Sequence, residues 1–212
     1  MRGAYFEMLD DLDYPPGSRR VANSPNPDLL QGIELPARWY LGAPISTDAS
    51  EIFIGEEFSI GVPQDVRGAL TVEIDYDGLP LDFTFASVDM PVLSVKAAEI
   101  VRDLAPADVH LVPASIRGRT ADYFIMNVTR LIDCIDRERS DIQYWPRTGG
   151  VWRGTAGKPR MVVELRVDPG SVPKEVGVFR IADWVPPVIV SEEIRAAFVA
   201  QGVSGIQFNC VS

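Results

Sequence analysis

Asp133, Asp136 and His110 are the side chains whose chemistry first suggests a catalytic site. The two aspartates stand three positions apart in LIDCIDRERSD, so they would share one face if this segment were helical. Two carboxylates so placed can hold Mg²⁺ or divide the work of a general acid and a general base. The charged run 137–139 follows at once, which is also typical of a solvated loop in which Asp136 caps backbone groups near Ser140.

His110 is the only histidine, so any histidine-dependent mechanism must use it. It alternates with Val109 and Leu111 in a predicted strand, which places its ring on the opposite face, toward solvent or a groove. No serine or cysteine in a nucleophile elbow accompanies it. The pattern therefore favours an ordinary polar strand residue.

The two cysteines, Cys134 and Cys210, lie far apart and form no CxxC pair. Two cysteines and one histidine are too few at suitable spacing for a structural zinc site, and too few cysteines for a disulfide framework. We therefore expect neither a metal nor a cofactor, and a reducing cytoplasm as the location.

Residues 145–160, WPRTGGVWRGTAGKPR, combine glycines with basic side chains but lack the GxxxxGK[ST] phosphate loop. They are better interpreted as a hairpin loop. Within it, Trp145 and Trp152 are candidate anchors for a protein partner, with core packing as the alternative. The acidic group Asp10, Asp11 and Asp13 is either a solvated turn or part of a docking surface.

Charge and hydropathy narrow the class of partner. The 212 residues carry 30 acidic and 20 basic side chains, and the net charge of −10 disfavours nucleic acid and favours basic partners. No apolar run approaches the roughly 20 residues that span a bilayer, so no membrane association is expected. The first twenty residues lack the apolar core of a secretory signal, so we expect no export.

These residues must be positioned by secondary structure, and one short sequence pattern occurs twice, at residues 90–113 and 185–208. Each copy has a proline followed by aliphatic residues, a serine suited to cap a helix (Ser94 or Ser191), an amphipathic helix of about three turns, and an extended stretch. A shift of 97 positions nearly aligns the apolar stripes of the two helices. Two N-capped helices in strand–helix–strand units are predicted, and an internal duplication is one explanation.

Other segments predict strands. Residues 5–9, the apolar run 122–128 and the alternating run 160–167 are strand candidates, and residues 177–182 are expected to pair with the last of these. Asp77-Gly78 lies between two alternating runs and predicts a tight hairpin over 71–85. The fold class is therefore α+β with mixed, largely antiparallel sheets. One domain over residues 1–212 is expected, with two lobes of about 1–115 and 116–212 as a variant.

Two longer stretches carry a family resemblance. They are YFIMNVTRLIDCIDRERSDI at residues 123–142 and VFRIADWVPPVIVSEEIRAAFVAQGVSGIQF at residues 178–208. In both, the chain resembles bacterial immunity-protein family eleven, the myxobacterial-type immunity proteins of polymorphic-toxin systems, once a domain of unknown function. The likeness is best over residues 81–208, and residues before 53 contribute little.

The resemblance implies a stoichiometric inhibitor that binds a toxin encoded beside it and protects the producing cell. It carries no catalytic residues onto this chain. A net charge of −10 would steer such an inhibitor toward a basic toxin. The alternatives are a metal-dependent hydrolase that uses Asp133, Asp136 and His110 to reverse a toxin's modification, and an adaptor protein with no toxin partner. The toxin, its contacts and the oligomeric state stay open.

Overall fold

A computed structural model of the chain describes residues 3–10, 38–46, 58–66, 70–87, 89–148 and 156–212. Within these ranges, two helices connect strands in three sheets, which confirms the predicted α+β class. The elements are β1 (Tyr5–Asp10), β2 (Tyr40–Ser46), β3 (Leu70–Tyr76), β4 (Phe83–Ala86), β5 (Met90–Ser94), α1 (Val95–Leu104), β6 (Val109–Ile116), β7 (Asp122–Val128), β8 (Leu131–Ile132), β9 (Asp141–Tyr144), β10 (Pro159–Glu164), β11 (Val178–Ile181), β12 (Trp184–Ser191), α2 (Glu192–Ala200) and β13 (Ile206–Cys210).

Six strands form a closed barrel in the order β2, β3, β6, β7, β5, β4. The β3–β6 and β2–β4 pairs are parallel, and the other four pairs are antiparallel. Successive side chains of a strand point to opposite faces, so alternate residues fill the interior. Val112, Ala114 and Ile116 of β6 contribute to this buried cluster, together with Trp39 and Phe58 from outside the strands.

The second sheet has five strands in the order β13, β1, β12, β11, β8. Only the short β8–β11 pair is parallel. Val188 and Val190 of β12 face a cluster shared with both helices and the outside of the barrel, whereas Ile189 faces a separate cluster on the other side. The sheet is thus buried on both faces, and the first described strand of the chain lies between two of the last three.

Both predicted strand–helix–strand units are present. The Ser94 hydroxyl accepts from the backbone N–H of Ala97 at 3.4 Å, and the Ser191 hydroxyl accepts from that of Ile194 at 3.5 Å, as N-caps should. The helices end just before Pro106 and close to Gly202.

The two units also share a topology. In each, the flanking strands run parallel and a single antiparallel strand lies between them: β7 between β5 and β6, and β1 between β12 and β13. The inserted strand follows the first unit along the chain but precedes the second, so the chain connections differ. A duplication of the units stays a prediction.

The predicted hairpin over 71–85 is wrong. Its two strands, β3 and β4, do not pair, because β2 lies between them in the barrel. Gly78 comes so close to the incoming chain that a Cβ there would lie 2.3 Å from the carbonyl carbon of Arg38. Leu79 forms an isolated bridge with Arg38. The connection after Asp77 therefore wraps around β2 instead of turning back tightly.

The predicted pairing of residues 177–182 with residues 160–167 is also wrong. β11 pairs with β12 and β8, while β10 pairs with β9. All four residues of β11 are buried, as a central strand requires, whereas β10 has mostly exposed side chains. The strands predicted at 5–9 and 122–128 are confirmed as β1 and β7.

In the described part of the chain, neither helix has the length and apolarity needed to cross a membrane.

Two glycines in the loop between α2 and β13 provide a matched test of how closely this loop packs against β4. Gly205 has a φ of +84°, and a Cβ there would lie 2.3 Å from the carbonyl oxygen of Phe83. Gly202 has a φ of +58° but open space around it. We expect Gly205→Ala to lower the free energy of unfolding by at least about 2 kcal/mol, and Gly202→Ala by about 1 kcal/mol, in urea titrations. Equal costs would contradict the close approach to β4.

Asp82 ties this loop to the start of α1. Its carboxylate accepts from the Ser94 hydroxyl at 2.8 Å and from the Ser204 backbone N–H and hydroxyl at 3.0 and 2.9 Å, and it pairs with the Lys96 ammonium at 2.7 Å. Burial raises the pKa of Asp82, but the hydrogen bonds from Lys96, Ser204 and Ser94 together outweigh burial and leave the pKa below its usual value.

A carboxyl whose pKa is lowered in the folded state stabilises the fold above its unfolded pKa of about 3.9, and the contribution disappears as pH falls through the folded pKa. We therefore expect Asp82→Asn to lower the melting temperature at pH 7, and this difference from the wild type to shrink steadily below about pH 4. Asp122→Asn, at an exposed position of β7, is the control and should change little at either pH. A deficit for Asp82→Asn that is constant from pH 7 to pH 2 would refute the assignment.

Candidate partner-binding surface

The two aspartates of the predicted acid–base pair lie in a loop after β8, not on a helix. The Asp136 carboxylate accepts from the backbone N–H groups of Glu138 and Arg139 at 3.1 and 3.0 Å, and its carbonyl accepts from the Ser140 N–H. Asp133 is exposed and pairs with Arg137 at 3.6 Å. Asp136 therefore caps a local turn, as the alternative interpretation of this segment proposed.

His110 lies on β6 opposite Asn127 of β7, on the same strand face as Val112. Val109 and Leu111 point the other way, toward the cluster shared with the helices. The half-buried imidazole thus lies opposite Val109 and Leu111, as predicted, on the strand face that lines the barrel. Across the described residues, no three His, Cys, Asp or Glu side chains come together in a group that could hold a metal ion.

The two cysteines are free and differ in environment. Cys210 is exposed, whereas Cys134 is buried. Burial, with smaller contributions from Asp133 and Asp168, raises the pKa of the Cys134 thiol to about 12. Cys134 is therefore protonated at neutral pH and a poor nucleophile.

Of the acidic group Asp10, Asp11 and Asp13, only Asp10 lies within the described residues. Its carboxylate accepts from the Phe85 backbone N–H at 3.1 Å and lies 3.9 Å from the Arg38 guanidinium. Asp10 is half-buried and holds β1 against the barrel. A role for the three aspartates in docking stays a prediction.

Trp145 lies just beyond β9, in the hairpin that the sequence predicts for residues 145–160. Its backbone N–H donates to the Lys158 carbonyl at 2.9 Å, and its carbonyl accepts from the Gly157 N–H at 3.1 Å, so the two chains stay paired past the strands. The guanidinium of Arg160 lies over its half-buried ring, 5.2 Å from the centroid. Trp152 falls outside the described residues.

We call β9, β10 and their described extensions, residues 139–148 and 156–166, the β-ribbon. One face is seated on the five-stranded sheet through Ile142, Val162 and Leu165, which pack in the cluster that contains Phe179. Tyr144, Met161 and Val163 of the β-ribbon are 45 %, 45 % and 52 % exposed, and Met161 lies opposite Gln143 on the face that points away from the sheet.

Sequence patterns did not identify these three residues. The alternation in RMVVELRV predicted the strand, but a β-bulge between Val162 and Glu164 leaves Val163 on the exposed side. β9 and β10 pair only with each other among the described strands. The result is a two-stranded element that packs on the sheet through one face and leaves Met161 and Val163 exposed.

A model of the immunity protein family Imm11 matches residues 104–212, just over half of the chain. The match begins at the end of α1 and contains the β-ribbon, β11, β12 and α2. It starts later than the likeness expected from residue 81 and continues to residue 212. No curated protein matches the sequence significantly.

Proposed function

Because the chain belongs to the immunity protein family Imm11, we propose that it binds a cognate toxin and neutralises it by one-to-one occupation, without catalysis. The match over residues 104–212 carries this proposal. Location in the cytoplasm of the producing cell, where such a toxin would otherwise act, belongs to the same proposal.

Two features of the chain support binding as the mode of action. The β-ribbon presents exposed apolar side chains on a scaffold that is packed against the sheet, which lowers the entropy lost on association. The net charge of −10 suits capture of a toxin with an overall basic surface, with association rates up to about 10⁸–10⁹ M⁻¹s⁻¹ at low salt. Long-range charge would govern the encounter, and buried side-chain anchors would govern the residence time.

The proposal is tested by coexpressing this protein with the toxin domain, the carboxy-terminal domain of the protein that the adjacent gene encodes. We expect cells to survive only when this protein is present, and affinity purification of the toxin domain to recover a complex of equal stoichiometry. In a titration of purified toxin, a stoichiometric inhibitor abolishes activity at a ratio of about one. Survival without any complex, or full protection at a small fraction of the toxin's concentration, would exclude this mode of action.

A triple variant tests the alternative that the protein is a hydrolase. His110→Gln, Asp133→Asn and Asp136→Asn remove the acid–base groups, while Asn at position 136 keeps an acceptor for the turn that Asp136 caps. We expect the triple variant to protect cells as the wild type does. Loss of protection in a variant that stays folded and still binds the toxin domain would favour the enzyme.

A further inference from the structure

The β-ribbon differs from the rest of the chain in charge. Six of the 20 basic side chains, but only two of the 30 acidic ones, lie between residues 139 and 166, the sequence segment that comprises the β-ribbon and the connecting residues 149–155. This segment therefore carries a net charge of +4 in a chain whose total is −10. The β-ribbon is therefore basic, whereas the rest of the chain is acidic and would attract a basic toxin.

We call the end of the β-ribbon near Trp145 and Lys158, opposite the end at Arg166, its free end. Arg147, Lys158 and Arg160 are exposed, and no described carboxylate lies within ion-pair distance of any of them. Arg117, in contrast, is exposed but pairs with Glu73. Nearer the sheet, Arg166 pairs with Glu164.

The same end concentrates the residue types that dominate binding hot spots. Arg160 lies over Trp145, Tyr144 is the last residue of β9, and Met161 projects from the paired strand. Tryptophan, tyrosine and arginine are enriched in hot spots because they combine large apolar area with a directional polar group. An arginine held over an indole is also partly ordered before a partner arrives.

We infer that the free end of the β-ribbon is the surface on which the protein holds its toxin, and that the toxin presents carboxylates to Arg147, Lys158 and Arg160. This inference rests on the proposed function. Carboxylates on the partner pair with these cations at close range, while the apolar side chains beside them exclude water. An acidic patch on the toxin is repelled by the rest of this chain, so complementarity directs it to the β-ribbon. A nucleic acid also fits cations and aromatics, but the total charge of −10 opposes it.

Two arginines provide a matched pair of variants. Arg160 lies over Trp145 at 5.2 Å and Arg102 of α1 lies over Phe124 at 5.4 Å, and both are exposed. Arg160→Glu and Arg102→Glu each remove one such contact and change the net charge by the same amount. Any difference between them in toxin binding therefore reports position.

The measurement is calorimetric titration of the full chain with the carboxy-terminal toxin domain encoded by the adjacent gene. We expect Arg160→Glu to weaken binding by about tenfold or more, and Arg102→Glu by less than about threefold. Equal affinities for the two variants, with the wild type binding and protecting, would overturn the β-ribbon as the contact surface and leave the proposed function intact. A wild-type protein that neither binds nor protects would remove the proposed function itself.

Zero-length carbodiimide cross-linking tests the acidic partner surface without any substitution. The reagent joins a lysine amine to a carboxylate in contact with it, so Lys158 should be recovered in peptides linked to aspartate or glutamate of the toxin domain. Cross-links that involve Lys174 and omit Lys158 would contradict the inference. So would single-stranded or duplex nucleic acid that binds the wild type tightly and loses affinity with Arg160→Glu.

Discussion

Replacing Arg180 with alanine is expected to lower the free energy of unfolding by about 3–5 kcal/mol. The Arg180 guanidinium is fully buried at the junction of the five-stranded sheet and the barrel. It donates to the carbonyls of Val185 and Pro186 at 2.7 and 2.9 Å within its own sheet, and to that of Asp89 at 2.6 Å in the turn before β5. The variant leaves these carbonyls without this donor in a site that water cannot easily reach.

The charge of Arg180 is maintained although it is buried. Burial lowers the pKa of Arg180 to about 10, while the Asp89 carboxylate, 3.6 Å away, acts in the opposite direction. The guanidinium is therefore still protonated at neutral pH. Because its donors reach backbone carbonyls, Arg180→Met should destabilise the fold almost as much as Arg180→Ala, although methionine restores most of the apolar volume.

Urea titrations followed by circular dichroism measure this effect. Arg117→Ala, which removes an exposed arginine paired with Glu73, is the control and should leave the unfolding midpoint nearly unchanged. A methionine variant as stable as the wild type would show that the three carbonyls do not depend on Arg180.

Asp108→Ala is expected to cost about 3 kcal/mol, because a buried carboxylate there organises three donors. Asp108 lies between α1 and β6, and one of its oxygens accepts from the backbone N–H groups of Gly177 and Val178 at 2.7 and 3.2 Å. The other accepts from the Arg130 guanidinium at 3.0 Å. The carboxylate thus joins the loop after α1 to the first residues of β11.

Arg130→Ala supplies the internal comparison for Asp108. Arg130 is partly exposed, and its loss leaves both backbone hydrogen bonds of Asp108 in place. We expect it to cost clearly less than Asp108→Ala, and the double variant to cost less than the two single changes added together. Additive costs would mean that the Asp108–Arg130 ion pair contributes nothing to stability, and a larger loss for Arg130→Ala would contradict the main role given to the backbone contacts of Asp108.

The sequence predicted the local parts of this fold well and the non-local parts poorly. Ser94 and Ser191 were identified as helix caps because capping depends on a few neighbouring residues. The order of strands depends on residues far apart in the chain, and nothing near Asp77-Gly78 indicates that β2 separates β3 from β4. Arg180 and Asp108 were missed for the same reason, since charged residues are ordinarily exposed and only tertiary packing buries them.

Prediction of the candidate surface from the sequence was also limited to its local features. Trp145 was singled out from its residue type, and its contact with Arg160 gives that choice a structural setting. The exposure of Met161 and Val163 depends on which face of β10 meets the sheet and on the bulge after Val162, and neither is encoded in a short window of sequence. The charge of residues 139–166, in contrast, can be read from the sequence once the segment is known to stand apart as a ribbon.

The position of β1 has a consequence for synthesis in the cell. On the ribosome, residues 5–10 are made long before both of their pairing partners, β12 and β13. The newly made strand must therefore wait, with its backbone unpaired by these partners, until residue 210 has left the exit tunnel. Completion of the five-stranded sheet is therefore a late step of folding during synthesis.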